Sequence, residues 1–360
     1  VGSEMCIRDR LLLALMLAAG IIAHHQKLSA LLAVGILLLP ATQYPATTWW
    51  SKPDLDREYV LSLDVEHYFG NIQKMRKHLE TDRQILWVTY YRNLYNATHP
   101  SEINSPVSLS RNLLAWNQPG TNGLILPVNP SASFLSILFA NELWFTLGDM
   151  TMAEHCAMLS MIFSPRNSGS RMIKRLAEIN LVNGDDEAAL KYLRILDKTL
   201  LHKSWAEKRI PGQQTPRVKE WLEKKRRDIP TQDQLRSGND AVTSLRNLVA
   251  SNAGNLRAYE YLLCYHLLSK DLRSFVEDYV PGKVSSPIFA EALLIHLARQ
   301  GNIRAEELIK YQIPVEIAKE FADYTRLYEA KDTSLKEKYG KTYWFYYHFA
   351  TTEPGKESKP

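Results

Sequence analysis

Apolar residues recur at helical spacing through Phe134, Leu135, Ile137, Leu138, Phe139, Leu143, Trp144 and Leu147, and the pattern stops at Gly148. A glycine there suits the left-handed position that ends a helix. The pattern restarts at Thr151, carries Ala153, Ala157, Leu159 and Met161, and ends at Pro165, which cannot continue a helical ladder. The same order follows at once. Ser168 or Ser170 is placed to cap a helix with Met172, Ile173, Leu176, Ile179 and Leu181; Asn183-Gly184-Asp185 turns it; Ala188, Ala189, Leu190, Tyr192, Leu193 and Leu196 return. Two antiparallel helix pairs are therefore predicted, over 133–163 and 169–199. Ala153 and Ala189, five positions after each glycine, allow the two helices of a pair to approach closely.

The same grammar extends in both directions. Upstream it predicts helices over 57–69 and 72–80, turning at Gly70-Asn71, then over 83–97 with a return partner at 108–116. The prolines and Asn/Gly pairs of 117–133 make an irregular connection. Downstream it predicts helices over 256–268 and 272–279 around Lys270-Asp271, then 287–299 and 303–311 around Gly301-Asn302, and finally 318–330 and 336–349. The last of these concentrates Tyr339, Tyr343, Trp344, Phe345, Tyr346, Tyr347 and Phe349, and is expected to pack on the preceding pair.

Between these arrays the period breaks. Pro216 opens a helix ending in Lys224-Lys225-Arg226-Arg227. Clustered cations attract phosphates and anionic surfaces, but Glu220, Glu223 and Asp228 are interleaved and no stacking ladder accompanies them, so a solvated helix face is expected. No nucleic-acid partner is expected.

Two apolar runs precede the helical region, 11–23 and 28–44, separated by His24-His25-Gln26-Lys27 and followed by Trp49-Trp50. Segment 11–50 is expected to form a transmembrane hairpin. The expected location is a bacterial inner membrane; Lys27 in the turn argues for an extracytoplasmic helical domain, whereas Lys52 and Arg57 beyond the second run argue for the opposite arrangement. The string of residues 1–10 resembles translated sequencing-adapter sequence and is set aside; the four charges within it cancel, leaving the net charge of +5 unchanged. The expected organisation is thus an artefactual stretch at 1–10, a hairpin at 11–50, a helical-repeat domain at 51–350 and a disordered tail at 351–360.

Gly148 and Gly184 lie 36 positions apart, near the 34-residue period of tetratricopeptide (TPR) repeats. Trp144, Gly148, Ala153 and Pro165, then Leu176, Ala177, Gly184 and Ala189, partly match that repeat's landmarks, while Asn141 and Asn180 depart from them. The region is TPR-like, which implies an all-α fold with an α-solenoid of antiparallel helix pairs. Gly148-Asp149, the run from Lys174 to Gly184, Lys191-Tyr192-Leu193 and Ala258-Tyr259-Glu260-Tyr261-Leu262 resemble, more closely, an uncharacterised family of bacterial multi-pass membrane proteins. That resemblance implies further membrane helices upstream and supplies no activity, cofactor or catalytic residue.

A search for chemistry yields no catalytic, cofactor-binding or metal-binding residue. Cys156 and Cys264 stand outside any Cys-x-x-Cys pair, and His155 and His266 beside them do not complete a zinc set. Phosphate loops, dinucleotide fingerprints and nucleophile elbows are missing from the sequence. Asp185-Asp186-Glu187 sits where a helix dipole favours negative charge. The expected function is a membrane-anchored protein–protein interaction or scaffold module, with a protein or peptide partner, its oligomeric state left open. The alternative is the accessory domain of a membrane-bound transferase whose catalytic part lies upstream. Asn141, Trp144, Lys174, Glu178, Tyr261 and Tyr265, on the first helices of their pairs, are the candidates for a partner-binding groove.

Overall fold

The computed structural model describes residues 52–80, 83, 85–98, 120–128, 132–163, 169–231 and 240–350. Every regular element among them is a helix. The two apolar runs at 11–23 and 28–44, the return partner expected at 108–116 and the tail at 351–360 lie outside the described residues. The inner-membrane localisation is corrected: no helix among the described residues is long and apolar enough to cross a membrane.

The chain divides into two compact units, residues 1–75 and 76–360. In the first, α1 (Lys52–Tyr68) is followed by a turn in which Asn71 N–H reaches back to Glu66 O at 2.9 Å, with Gly70 at φ 69°. The next helix, α2 (Ile72–Leu79), begins there.

The second unit is built from helix pairs. After α3 (Leu86–Thr98) come α4 (Phe134–Leu147) and α5 (Met150–Ile162), then α6 (Ser170–Asn183) and α7 (Asp186–Asp197). Each pair packs on itself, and α5 also packs on α6, so that four helices follow one another through a continuous core. Helix α4 is apolar around nearly its whole circumference, and Ser136 to Leu147 is buried throughout; a helix of that kind has to sit inside its neighbours. Ala153 and Ala189 are fully buried at the close approaches.

One turn is used repeatedly. Gly148 adopts φ 93°, Asp149 N–H bonds back to Trp144 O at 3.0 Å, and the Asp149 carboxylate then accepts from Met152 N at 2.8 Å. Gly184-Asp185 repeats this with Asn180 O and Ala188 N, and Lys270-Asp271 with His266 O and Ser274 N. The first residue of each pair closes one helix in a Schellman turn, and the aspartate opens the next. The expected serine cap of α6 is corrected: Gly169 is its N-cap and makes no side-chain bond. The Ser170 hydroxyl instead lies 3.2 Å from His202 Nε2.

Beyond α7 come a short helix α8 (Lys203–Glu207), α9 (Pro216–Arg226) and α10 (Ala241–Ser251). The pair α11 (Leu256–Leu268) and α12 (Leu272–Asp278) follows, then α13 (Pro287–Arg299), α14 (Ala305–Lys310) and α15 (Val315–Glu329). The aromatic stretch expected as one helix is two, α16 (Leu335–Tyr339) and α17 (Tyr343–Phe349), interrupted at Gly340-Lys341-Thr342. The break lets Tyr343 N–H and the Trp344 indole both donate to Glu291, at 2.5 and 2.9 Å, which fixes α17 on α13. The connection 120–128 is held from three sides. Asn93 donates to Gly123 O at 2.9 Å, Tyr261 to Leu124 O at 2.5 Å, and Gly120 N–H to the Tyr346 hydroxyl at 3.0 Å.

The carbonyls at the helix C-termini are satisfied from far along the chain. The last four of a helix have no partner of their own. In α4, Trp144 O is met by the turn, while Phe145 O accepts from Lys225 Nζ at 3.3 Å, Thr146 O from Arg257 at 3.1 Å and Leu147 O from Asn255 Nδ2 at 2.7 Å. In α6, Leu181 O and Val182 O accept from Arg226 at 2.8 and 3.1 Å. In α11, Leu267 O and Leu268 O accept from the hydroxyls of Tyr343 and Tyr346 at 2.9 and 2.8 Å.

The two glycines of the α4/α5 and α6/α7 turns therefore carry different constraints. A Cβ on Gly184 would meet nothing within 4 Å, so Gly184→Ala is expected to cost only left-handed backbone strain, about 1–2 kcal/mol. A Cβ on Gly148 would lie 2.2 Å from Asp228 O, so Gly148→Ala is expected to cost roughly twice as much. Urea unfolding of the two variants checks this; equal losses would contradict the close approach.

Candidate functional site

Helix α6 presents Arg171, Lys174, Arg175 and Glu178 at i, i+3, i+4 and i+7, the spacing of one helical face. Opposite it, α4 contributes Asn141, Glu142 and Phe145. Glu142 is the anchor: Arg171 and Arg175 each bind one of its oxygens, at 2.9 and 2.5 Å, and the carboxylate is buried. Arg175 also donates to Asn141 Oδ1 at 3.0 Å and to Glu178 at 2.9 Å, and its guanidinium lies 3.9 Å from the centre of the Phe145 ring. A planar group with five donors suits this many partners, which a lysine would not satisfy.

Two segments from the region of interrupted period complete the cluster. Trp205-Ala206-Glu207-Lys208-Arg209 and Trp221-Leu222-Glu223-Lys224-Lys225 share one pattern: a tryptophan, a small or apolar residue, Glu-Lys, then a base. They also share one pattern of exposure. Ala206 and Leu222 are buried, Glu207, Lys208, Glu223 and Lys224 are exposed, and the tryptophan and final base of each are half-buried. Lys174 Nζ and the Arg209 guanidinium lie 5.1 and 4.1 Å from the centre of Trp205, and Trp221 stacks on Phe145 at 6.3 Å with Lys225 Nζ 4.6 Å from that same ring. Aromatic faces attract cations, and more strongly as water is withdrawn.

Arg171, Lys174, Arg175, Arg209 and Lys225 share the cluster with Glu142 and Glu178, and Arg257 and Asp228 also act on Lys225. Burial lowers the pKa values of Lys174, Arg209 and His202, and neighbouring cations add to the effect on each. Lys225 is lowered furthest, to about 8, by burial first and then by Arg257 and Arg175. Arg209 Nε is buried with no hydrogen-bond partner among the described residues.

The groove candidates from sequence divide. Asn141, Lys174 and Glu178 are brought together in this cluster. Trp144 is core at 2 % exposure, Tyr261 is fully buried with its hydroxyl on Leu124 O, and Tyr265 is half-buried on the separate helix α11. The expectation of a solvated face for the basic run of α9 is corrected at two positions. Lys225 and Arg226 turn inward to the ends of α4 and α6, because unpaired carbonyls there attract cations. Trp205, Arg209 and Trp221 went unnoticed; the shared five-residue pattern is the signal that identifies them. Cys156 and Cys264 are buried, with the Cys264 thiol pushed up by burial, and His266 pairs with Asp278 at 2.8 Å. Among the described residues no three His, Cys, Asp or Glu side chains converge as a metal set.

Lys225 yields a pH test. Its folded pKa of about 8 lies below the ordinary 10.5, so between those values the unfolded chain binds more protons and stability rises with pH. Wild type is expected to gain on Lys225→Met in urea melts as pH increases from about 8 to 10.5, with the gap constant below that window. A wild type that loses stability relative to Lys225→Met with rising pH would contradict the withdrawal of Lys225 from water.

No curated protein and no solved structure is significantly similar to this chain. Residues 9–350 match the model of a family of unknown function, DUF6057, and the chain belongs to that family.

Proposed function

We propose that this chain is a protein–protein interaction module whose consecutive helix pairs form a TPR-like solenoid, with the recess between α4, α6, α8 and α9 as its partner-binding groove. The observation that carries this reading is the meeting of the α6 stripe with two copies of the Trp-to-base pattern. Four half-buried charged or aromatic side chains come from two separate segments, Trp205 and Arg209 beside Lys174 of α6 and Trp221 and Lys225 on Phe145 of α4. Tryptophan and arginine are the residue types that most often dominate binding energy in protein interfaces, because each brings large contact area or several donors on a stiff frame. The pairing of Glu142 with Arg171 and Arg175 holds the floor in place before any partner arrives.

Affinity capture with the full chain tests the reading, comparing wild type with Lys174→Glu and Glu178→Lys. Each charge reversal is expected to alter the set of captured proteins. A captured set identical in all three would overturn the groove assignment. Turnover of a substrate by the purified chain alone would overturn the non-enzymatic reading.

A further inference from the structure

We infer that the turn between α7 and α8, with the exposed end of α5 beside it, is a docking surface for an anionic lipid bilayer. Leu200, Leu201, Ile162 and Phe163 enter the boundary of the acyl chains, and Lys198 and Lys203 meet the headgroups. This surface is separate from the groove proposed above, and the inference does not rest on that reading. The contact is peripheral and needs no helix that crosses the bilayer.

The apolar side chains carry the argument. Leu200 and Leu201 are 97 and 86 % exposed, the two highest values for large hydrophobic side chains among the described residues. They sit in the turn between the end of α7 at Asp197 and the start of α8 at Lys203. Ile162 and Phe163, where α5 ends, are 61 and 53 % exposed. Both pairs emerge at one end of the array, because Met161 packs on the core that holds Leu196 of α7 and Ala206 of α8. A single exposed leucine needs no explanation, whereas two adjacent apolar pairs around one core mark an interaction site. Neighbouring side chains exposed to this degree project outward. A folded partner needs a cavity shaped to them; a bilayer interface yields around them.

The charges set the sign of the lipid. From Lys191 to Lys208 the exposed cations are Lys191, Arg194, Lys198, Lys203 and Lys208, and the exposed carboxylates are Asp197 and Glu207. Glu187 reaches Lys191 at 3.3 Å from the preceding turn, and Glu207 reaches Lys203 at 4.0 Å. With Glu187 counted, five cations stand against three carboxylates. The end of α5 adds neither sign, since 155–163 holds no Asp, Glu, Lys or Arg. Lys198 and Lys203 flank the leucine pair in the chain, so their long side chains can stay at headgroup level while the leucines enter. Each lysine near an anionic surface is worth about fivefold in partitioning.

The test reads the tip locally, so that adhesion elsewhere in the full chain does not enter it. A polarity-sensitive fluorophore is attached at Leu201→Cys, or for comparison at Glu329→Cys on α15, in the full chain carrying Cys6→Ser; Cys156 and Cys264 are buried. The probes are vesicles of phosphatidylcholine alone and of phosphatidylcholine mixed with phosphatidylglycerol. Emission at 201 is expected to rise and shift to the blue at about tenfold less lipid with the mixed vesicles than with phosphatidylcholine alone. The label at 329 is expected to stay unchanged. Lys198→Glu with Lys203→Glu is expected to abolish the preference for the mixed vesicles. Leu200→Ser is expected to weaken the response severalfold and leave the urea midpoint in place, since that side chain is already in water. A silent label at 201, equal response to both vesicles, equal response at 329, or a preference that survives the double charge reversal would each overturn the inference. So would self-association without vesicles that Leu200→Ser with Leu201→Ser abolishes, because the tip would then belong to a second copy of the chain.

Discussion

The second unit depends on how the carbonyl ends of its buried helices are satisfied. A helix that is apolar on every side, as α4 is, gains its stability from burial, but burial also takes its last carbonyls away from water. Four such groups left unpaired would cost more than the packing of several side chains returns. The chain answers with donors from distant positions: Lys225, Asn255 and Arg257 on α4, Arg226 on α6, Tyr343 and Tyr346 on α11. These bonds span 44 to 111 positions, so they tie together segments that the hairpin turns alone leave independent.

The recess is a by-product of that requirement. Bringing Lys225 and Arg226 to the ends of α4 and α6 lays α9 across both helices, and Trp221, one turn before Lys225, then stacks on Phe145. Asn255 completes the joint by donating to Asp228 O as well as to Leu147 O, both at 2.7 Å, and by capping its own helix through Ala258 N. The Asp228 carbonyl is thereby drawn so close to Gly148 that a side chain has no room. One cluster of hydrogen bonds thus sets both the path of the chain and the position of Trp221 and Lys225 on Phe145.

Local features were legible in the sequence and distant ones were not. The turns at Gly148-Asp149, Gly184-Asp185 and Lys270-Asp271 could be read because each is closed by residues within a few positions of the pair. The limits of α11 and α13 followed from the same rules. Helix α10 was missed; among its residues only Ser244, Leu245 and Leu248 are buried. The inward turn of Lys225 and Arg226 was also illegible, since a basic run has the same sequence whether it faces water or a helix end. Tyr261 and Trp144 looked like groove residues from their place on first helices, yet Tyr261 is consumed by the 120–128 connection and Trp144 by the core. Lys174 and Glu178 were legible because α6 carries its polar stripe at the same spacing that apolar stripes use.

The claim that side chains from 225–257 hold the end of α4 is tested most directly by hydrogen exchange on Asn255→Ala. The α4 carbonyl end would lose one of its donors, and the account predicts faster exchange at 145–152 as well as around 252–258, more than a hundred positions apart in sequence. Faster exchange confined to 252–258, with the α4/α5 turn as protected as in wild type, would contradict it.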